Sequence, residues 1–261
     1  MGDTGAVLSV VADLWKAEAE GTAGLLRRRE ERLASLLAHA RVYSPYFREV
    51  YSGLGFGPVT LTELPVTHKP ELMERFDDWV TDRRIRRDDL EAFIGDPSLS
   101  GVPFLDDYFV CRSSGTTGHP GIFVADQAAI SATFACYAFV GYRLLRRSKW
   151  RRLIAHGLRQ ARVVGSGGHF AGAGTIALGQ RDSKARRRRQ RVVGVEQPLG
   201  DIVAQLNSFD PAILQGYPSV IRQLAQEHRA GRLHIQPGIV GTGGETVSVE
   251  ERRQMADAVS Y

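Results

Sequence analysis

Between Cys111 and Phe123 the chain reads Cys-Arg-Ser-Ser-Gly-Thr-Thr-Gly-His-Pro-Gly-Ile-Phe, so four hydroxyl side chains alternate with glycines in one short loop. Ser113, Ser114, Thr116 and Thr117 supply hydroxyl donors, while Gly115 and Gly118 leave backbone N–H groups unshielded. Consecutive bare amides form a concavity that suits an anion, and glycine permits the positive φ that such a turn needs. Phosphate is the natural occupant; a Ser/Thr/Gly-rich surface turn is the plain alternative. The loop is not of the common Gly-x4-Gly-Lys-Ser/Thr type, because that spacing meets Pro120 from Gly115 and Phe123 from Gly118.

Other stretches carry chemistry with less specificity. His169 follows the glycine-rich Gly165-Ser166-Gly167-Gly168 and is either a pocket residue or a packed core histidine. Gly216-Tyr217-Pro218-Ser219 and Gly243-Gly244-Glu245 each follow a short apolar run. Lys69 sits near a helix start, where a lysine reaches an anion or simply faces solvent. Gly172-Ala173-Gly174-Thr175-Ile176-Ala177 matches one loose form of the dinucleotide fingerprint, without an adjoining clear strand. Cys111 and Cys136 are too few for a disulfide framework; both read as small buried hydrophobes, and a reducing, cytoplasmic compartment follows.

The elements that must position these residues follow from periodicity and punctuation. Leu26, Leu33, Leu36, Leu37 and Ala40 predict an amphipathic helix over 24–41, ended by Ser44-Pro45. Thr67 and Pro70 open a predicted short helix within 64–80. Tyr108 to Cys111 reads as a strand entering the phosphate loop, and Asp126 caps a long helix to Leu145, expected to be buried directly behind that loop with its positive end toward phosphate. Leu153–Ala155 and Val163-Val164 are apolar runs, the second of which reads as a strand before the glycines. Helices are predicted over 199–209 and 218–229, strands near 212–214 and 239–240, and a final helix from the capping box of Ser248 and Glu251. Strands alternating with helices give an α/β fold whose mostly parallel sheet is covered by helices, and loops after its strands share one ligand-binding edge. Residues 1–107 read as a helical lead-in and 108–261 as the α/β part.

Charge is unevenly spread. The formal net charge is +5, yet residues 141–191 hold 15 Lys and Arg against one acid, Asp182. The remainder carries 19 basic and 28 acidic residues. Arg181 to Arg191, with Arg186-Arg187-Arg188-Arg189 inside it, reads as a solvated loop because like charges repel. Phosphate groups of a carrier or of nucleic acid are the functional alternative. No aromatic residue interrupts the run to stack bases, and no helix-turn-helix, zinc or RNA-binding signature accompanies it, which argues against nucleic acid. No stretch approaches the ~20 apolar residues of a membrane span, so a soluble chain without a membrane partner is expected.

Together with its companions, the Ser113–Pro120 stretch resembles the Ser-Ser-Gly-Thr-Thr-Gly-x-Pro signature of adenylate-forming (AMP-binding) enzymes. Ser44-Pro45-Tyr46-Phe47-Arg48, Leu64-Pro65-Val66-Thr67 with Lys69, Leu214 to Ser219, and Gly243-Gly244-Glu245 occur in the family's order and narrow the resemblance to its phenylacetate–CoA ligase-like branch. His119 stands where that family usually carries Lys. The resemblance implies the large N-terminal domain of a carboxylate-activating ligase that uses ATP, Mg2+ and a thiol such as coenzyme A on a small, aryl or other, carboxylic acid. It implies phosphate contacts from Ser113, Ser114, Gly115, Thr116, Thr117 and Gly118, adenine contacts from Gly243, Gly244 and Glu245, and an acyl pocket at His169, Tyr217 and Pro218. No catalytic or metal-binding residue is assignable, because the family's magnesium motif, ribose-binding aspartate, hinge and adenylation lysine all come later than Tyr261. A truncated ligase is therefore expected. The alternatives are a half completed by a separate C-terminal partner, and a nucleotide-binding remnant without turnover.

Overall fold

Ser44 ends one helix and starts the next. Its N–H donates to Ala40 O, while its side chain accepts from Phe47 N at 3.2 Å and donates to Asp78 O at 3.0 Å. Pro45 then occupies the first turn, where its missing N–H costs nothing. This corner belongs to a computed structural model that describes residues 4–55, 57, 59–113, 115, 120–144, 153–181 and 183–253. The chain divides into two compact units, one of Gly2–Asp96 with Val110–Phe139 and the other of Pro97–Phe109 with Val140–Tyr261.

The first unit opens with helices α1 (Thr4–Ala19) and α2 (Gly21–Tyr43), clasped by Asp13, which takes both Arg28 and Arg32. The predicted stripe of α2 buries Leu37 and Ala40 against Tyr51, with Leu33 beside them. Short α3 (Pro45–Val50) follows. The single helix predicted within 64–80 is two, α4 (Lys69–Glu74) and α5 (Phe76–Trp79), separated at Arg75. Thr67 is not its cap; His68 holds that position, without a capping side-chain bond. After α6 (Arg87–Gly95) come β1 (Phe109–Arg112) and β2 (Ile122–Ala125), paired as a hairpin, and then α7 (Gln127–Leu144). Asp126 Oδ1 does accept from Ala129 N at 2.7 Å. Helix α7 is not buried, however: Ile130, Ser131 and Ala135 face inward, while Tyr137 is 63% and Val140 52% exposed. Most of the loop it was expected to stand behind, Ser114 and Thr116 to His119, lies outside the described residues. Helix α7 begins two residues after β2 ends at Ala125.

The second unit contains a four-stranded parallel sheet of order β4-β3-β5-β6. Its strands are β3 (Gln160–Val164), β4 (Gln190–Gly194), β5 (Ile213–Gly216) and β6 (Ile239–Thr242). Between them lie α8 (Ala171–Arg181), α9 (Lys184–Arg189), α10 (Leu199–Phe209) and α11 (Pro218–Arg229). Leu153 to Ala155, an apolar run, is helical. The expected solvated loop over 181–191 is a helix and a strand instead: Ser183 caps α9, Arg187 donates to the end carbonyls Gln180 O and Arg181 O of α8, and Val193 is fully buried in β4. Carbonyl acceptors offset the repulsion that favours a loop.

The chain moves from β3 to β4 in one direction, then back past β3 to β5 and on to β6. Right-handed crossovers therefore place α8 on one face and α10 and α11 on the other. On the first face Arg162 reaches Gly172 O at 3.0 Å and Thr175 Oγ1 at 2.7 Å. On the second, Ala161, Val163, Val193 and Leu214 pack against Ile202, Leu206, Ile221 and Leu224 in the main core.

Candidate functional site

Neighbouring β3 and β5 send their following helices to opposite faces of the sheet. Their carboxyl ends therefore form the point where the strand order reverses, the place where open α/β sheets bind ligands. The loop after β3 carries Ser166 and His169; the loop after β5 carries Tyr217, Pro218 and Ser219. His169 is 1% exposed, so its ring lies beneath the surface of its loop. Pro218 opens α11 and is buried, with Tyr217 at the cap position.

The adjoining loop after β6 is tied to the one after β5. Gly243 N donates to Gly216 O at 3.3 Å. Ser219 donates through its N–H to Glu245 Oε2 at 2.9 Å and through its hydroxyl to Glu245 Oε1 at 2.8 Å. Tyr217 provides no capping side chain for α11, so Glu245 does the work of a cap from another loop. Gly244 makes the approach possible: its φ is +87°, and a Cβ there would stand 3.0 Å from the Tyr217 ring. The structure thus brings together Tyr217, Pro218, Gly243, Gly244 and Glu245, and His169 follows the adjacent strand.

Sequence reading missed the partner of this edge on β4. Glu196 accepts a hydrogen bond from Ser166, and that hydroxyl holds its carboxyl below the usual carboxylate range. Nothing local in the sequence signals the pair, since 30 residues separate its members. Also unsignalled is a polar ladder on the α8 face: Gln190 Nε2 donates to Gln160 Oε1, Gln160 Nε2 to Gln215 Oε1 at 2.7 Å, and Arg162 Nε to the same oxygen at 2.7 Å. The loose dinucleotide fingerprint proves to be packing. Gly172 leaves room for Val164 and Gly174 for the Phe109 ring, so α8 lies close on its neighbours.

In the other unit, the described part of the loop expected to hold phosphate is its rim. Ser113 N donates to Gly121 O at 2.9 Å and Gly121 N to Ser113 Oγ at 2.8 Å, which closes the mouth of the loop. Gly115 has φ +69° and lies against Pro120. Ser114, Thr116, Thr117 and Gly118, like His119, lie outside the described residues. The hairpin rests on α4, where Met73 Sδ accepts from Ile122 N at 3.3 Å and the Lys69 stem lies against Gly121. Beside it is a cavity of about 550 Å³ whose walls include Met73, Arg87, Arg112, Pro120 and Ile122. Cys111, next to the loop, is half-buried, and burial pushes its thiol up, away from nucleophile behaviour. Cys136 is exposed rather than buried.

Among the described residues no three His, Cys, Asp or Glu side chains gather into a metal-holding group. No helix among them is long and apolar enough to cross a membrane.

Neither a protein-family model nor a curated protein sequence matches the chain. Solved structures do. The chain is similar to 2-hydroxyisobutyryl-CoA ligase in an open conformation in complex with 2-HIB-AMP and CoA, with TM-score 0.50 and 20% identity over 91% of this chain and 52% of that one. It is similar also to the same ligase in the postadenylation state in complex with 2-HIB-AMP, with TM-score 0.51 and 21% identity over 92% and 47%. The chain spans about half the length of these structures. At this identity the likeness establishes the fold alone: an α/β unit with a parallel sheet flanked by helices, as in these CoA-ligase structures.

Proposed function

We propose that the chain is the nucleotide- and acid-binding part of an ATP-dependent carboxylate-activating enzyme. The observation that carries this is the reversal of strand order between β3 and β5, with the loop after β5 cross-tied to the one after β6, on a fold shared with a CoA ligase. In the proposed reaction an oxygen of the substrate carboxylate bonds to the α-phosphorus of ATP as the bond to the β-phosphate bridge breaks, releasing pyrophosphate. A thiol such as that of coenzyme A then attacks the acyl carbon, AMP leaves, and the thiol proton passes to solvent.

Each part has a proposed role. Ser113, Ser114, Gly115, Thr116, Thr117 and Gly118 would hold the phosphates with amides and hydroxyls, whose preorganised dipoles stabilise the charge that builds up at the α-phosphorus. The backbone of Gly243 and Gly244 would border adenine, with the Glu245 carboxylate, engaged by Ser219, fixing their path. His169, Tyr217 and Pro218 would line the acid pocket. Phenylacetate-like aryl acids are proposed from the sequence motifs; short 2-hydroxy acids enter through the structural likeness. Mg2+ would arrive with the nucleotide, and a C-terminal half on a separate chain is a proposed partner.

The test is calorimetric titration of ATP and AMP into the 261-residue chain, followed by ATP–pyrophosphate exchange over a panel of aryl and 2-hydroxy acids. Nucleotide binding, with exchange on one acid class, supports the proposal. A folded chain that binds neither ATP nor AMP overturns it.

A further inference from the structure

The basic run lies at the opposite edge of the sheet from the proposed ligand site. Helix α9 feeds the amino end of β4 at Gln190, which pairs with Gln160 at the amino end of β3, whereas the loops of that site leave the carboxyl ends. Two of its arginines are structural: Arg186 and Arg187 turn back onto carbonyls at the end of α8. Arg191 lies over the Phe209 ring at 4.5 Å. Arg181, Lys184, Arg188 and Arg189 are exposed, and none of them forms an ion pair with a described carboxylate. That is unlike Arg75, Arg84, Arg86, Arg87, Arg222 and Arg232, each matched to an acid.

A second observation sits on the same edge. The segment entering β3, beside α9's exit into β4, exposes Ile154 by 66% and Leu158 by 43%. Leu158 holds a φ of +55°, which a leucine adopts only at a cost, while its side chain stays largely in water.

We propose that this amino-end edge is a docking surface for an anionic lipid bilayer. The exposed cations would meet headgroup phosphates and carboxylates, and Ile154 and Leu158 would enter the interface. Duplex nucleic acid would use the cations but has no place for the apolar pair. The contact is peripheral and needs no membrane-spanning segment; the proposed ligand site is left open at the far edge.

The test is co-sedimentation of the chain with phosphatidylcholine vesicles, with and without about one-third phosphatidylserine. Binding is expected only to the anionic vesicles and to weaken with salt. Neutralising Lys184, Arg188 and Arg189 to Gln should lower the partition coefficient about a hundredfold, at roughly fivefold per cation. Leu158→Asn suits the backbone, since asparagine tolerates positive φ, and should weaken the salt-resistant part of binding. Thermal melts confirm that both variants fold. No sedimentation with anionic vesicles overturns the proposal, as does salt-sensitive binding to duplex DNA that Leu158→Asn leaves unchanged and vesicles do not reproduce.

Discussion

Removing the Glu245 carboxylate tests whether the two loops at the carboxyl edge of the sheet are held by one cross-strand cap. Glu245→Ala deletes both acceptors of Ser219 and leaves the N-terminus of α11 without a side-chain cap. A lost cap costs about 1 kcal/mol, and the missing negative charge near the helix dipole adds about 0.3–1 kcal/mol. At this chain size that total should lower Tm by about 3–6 °C. Ser219→Ala removes only the hydroxyl bond and should cost less, and the double variant should fall short of additivity by about 0.5 kcal/mol. Local opening is read by hydrogen exchange at the Ser219 amide, which should speed up in Glu245→Ala. AMP affinity should fall about tenfold as Gly243 and Gly244 lose their anchor, a coupling near 1.4 kcal/mol. Unchanged exchange at Ser219 together with an unchanged melt would refute the idea that Glu245 caps α11.

Three further outcomes are expected. Gly115→Val forces a branched side chain onto φ +69° and toward Pro120, and should abolish ATP binding by calorimetry while the circular dichroism spectrum is retained. Gly101→Ala is the more damaging exchange for stability: at φ +77° its Cβ would lie 2.5 Å from Ala177 Cβ and 2.7 Å from Leu178 N, so about 2–4 kcal/mol should be lost in urea unfolding. Tyr46 is 1% exposed and donates to Glu71; burial first, then that carboxylate, pushes its hydroxyl from 10.0 to about 12. Because the folded value is the higher one, this stabilisation is complete below pH 10.0 and is lost as pH rises through about 12. Tyr46→Phe should cost about 1 kcal/mol at neutral pH and show a shallower alkaline fall in Tm.

Elements with strong periodicity and punctuation were legible in the sequence. Helix α11 begins at Pro218 and ends before Gly231, whose φ is +69°, and α10 shows Ile202, Leu206 and Phe209 on one buried face. Strand β4 was not legible, because the charge of Arg186–Arg189 outweighs two valines in any local reading, whereas the burial of Val193 arises from pairing with β3. Helix α7 misled in the other direction. Its Ala-rich sequence suggests burial, but small side chains cost little in water, and Tyr137 and Val140 lie outside. The loops at the carboxyl edge were placed by the rule for parallel strands. Their cross-ties, Ser219 to Glu245 and Ser166 to Glu196, depend on strand order, which no single stretch of residues encodes.

The two ends of α2 differ in how much alteration they tolerate. At its far end Ser44 is 0% exposed and its one hydroxyl engages both the following helix and Asp78, so a residue inserted there shears three segments at once. At its near end Gly21 is exposed, with φ +70° and nothing within 4 Å of a would-be Cβ. A fluorophore tag or a short epitope spliced in beside Gly21 has room to hang in water and leaves the rest of the first unit in register.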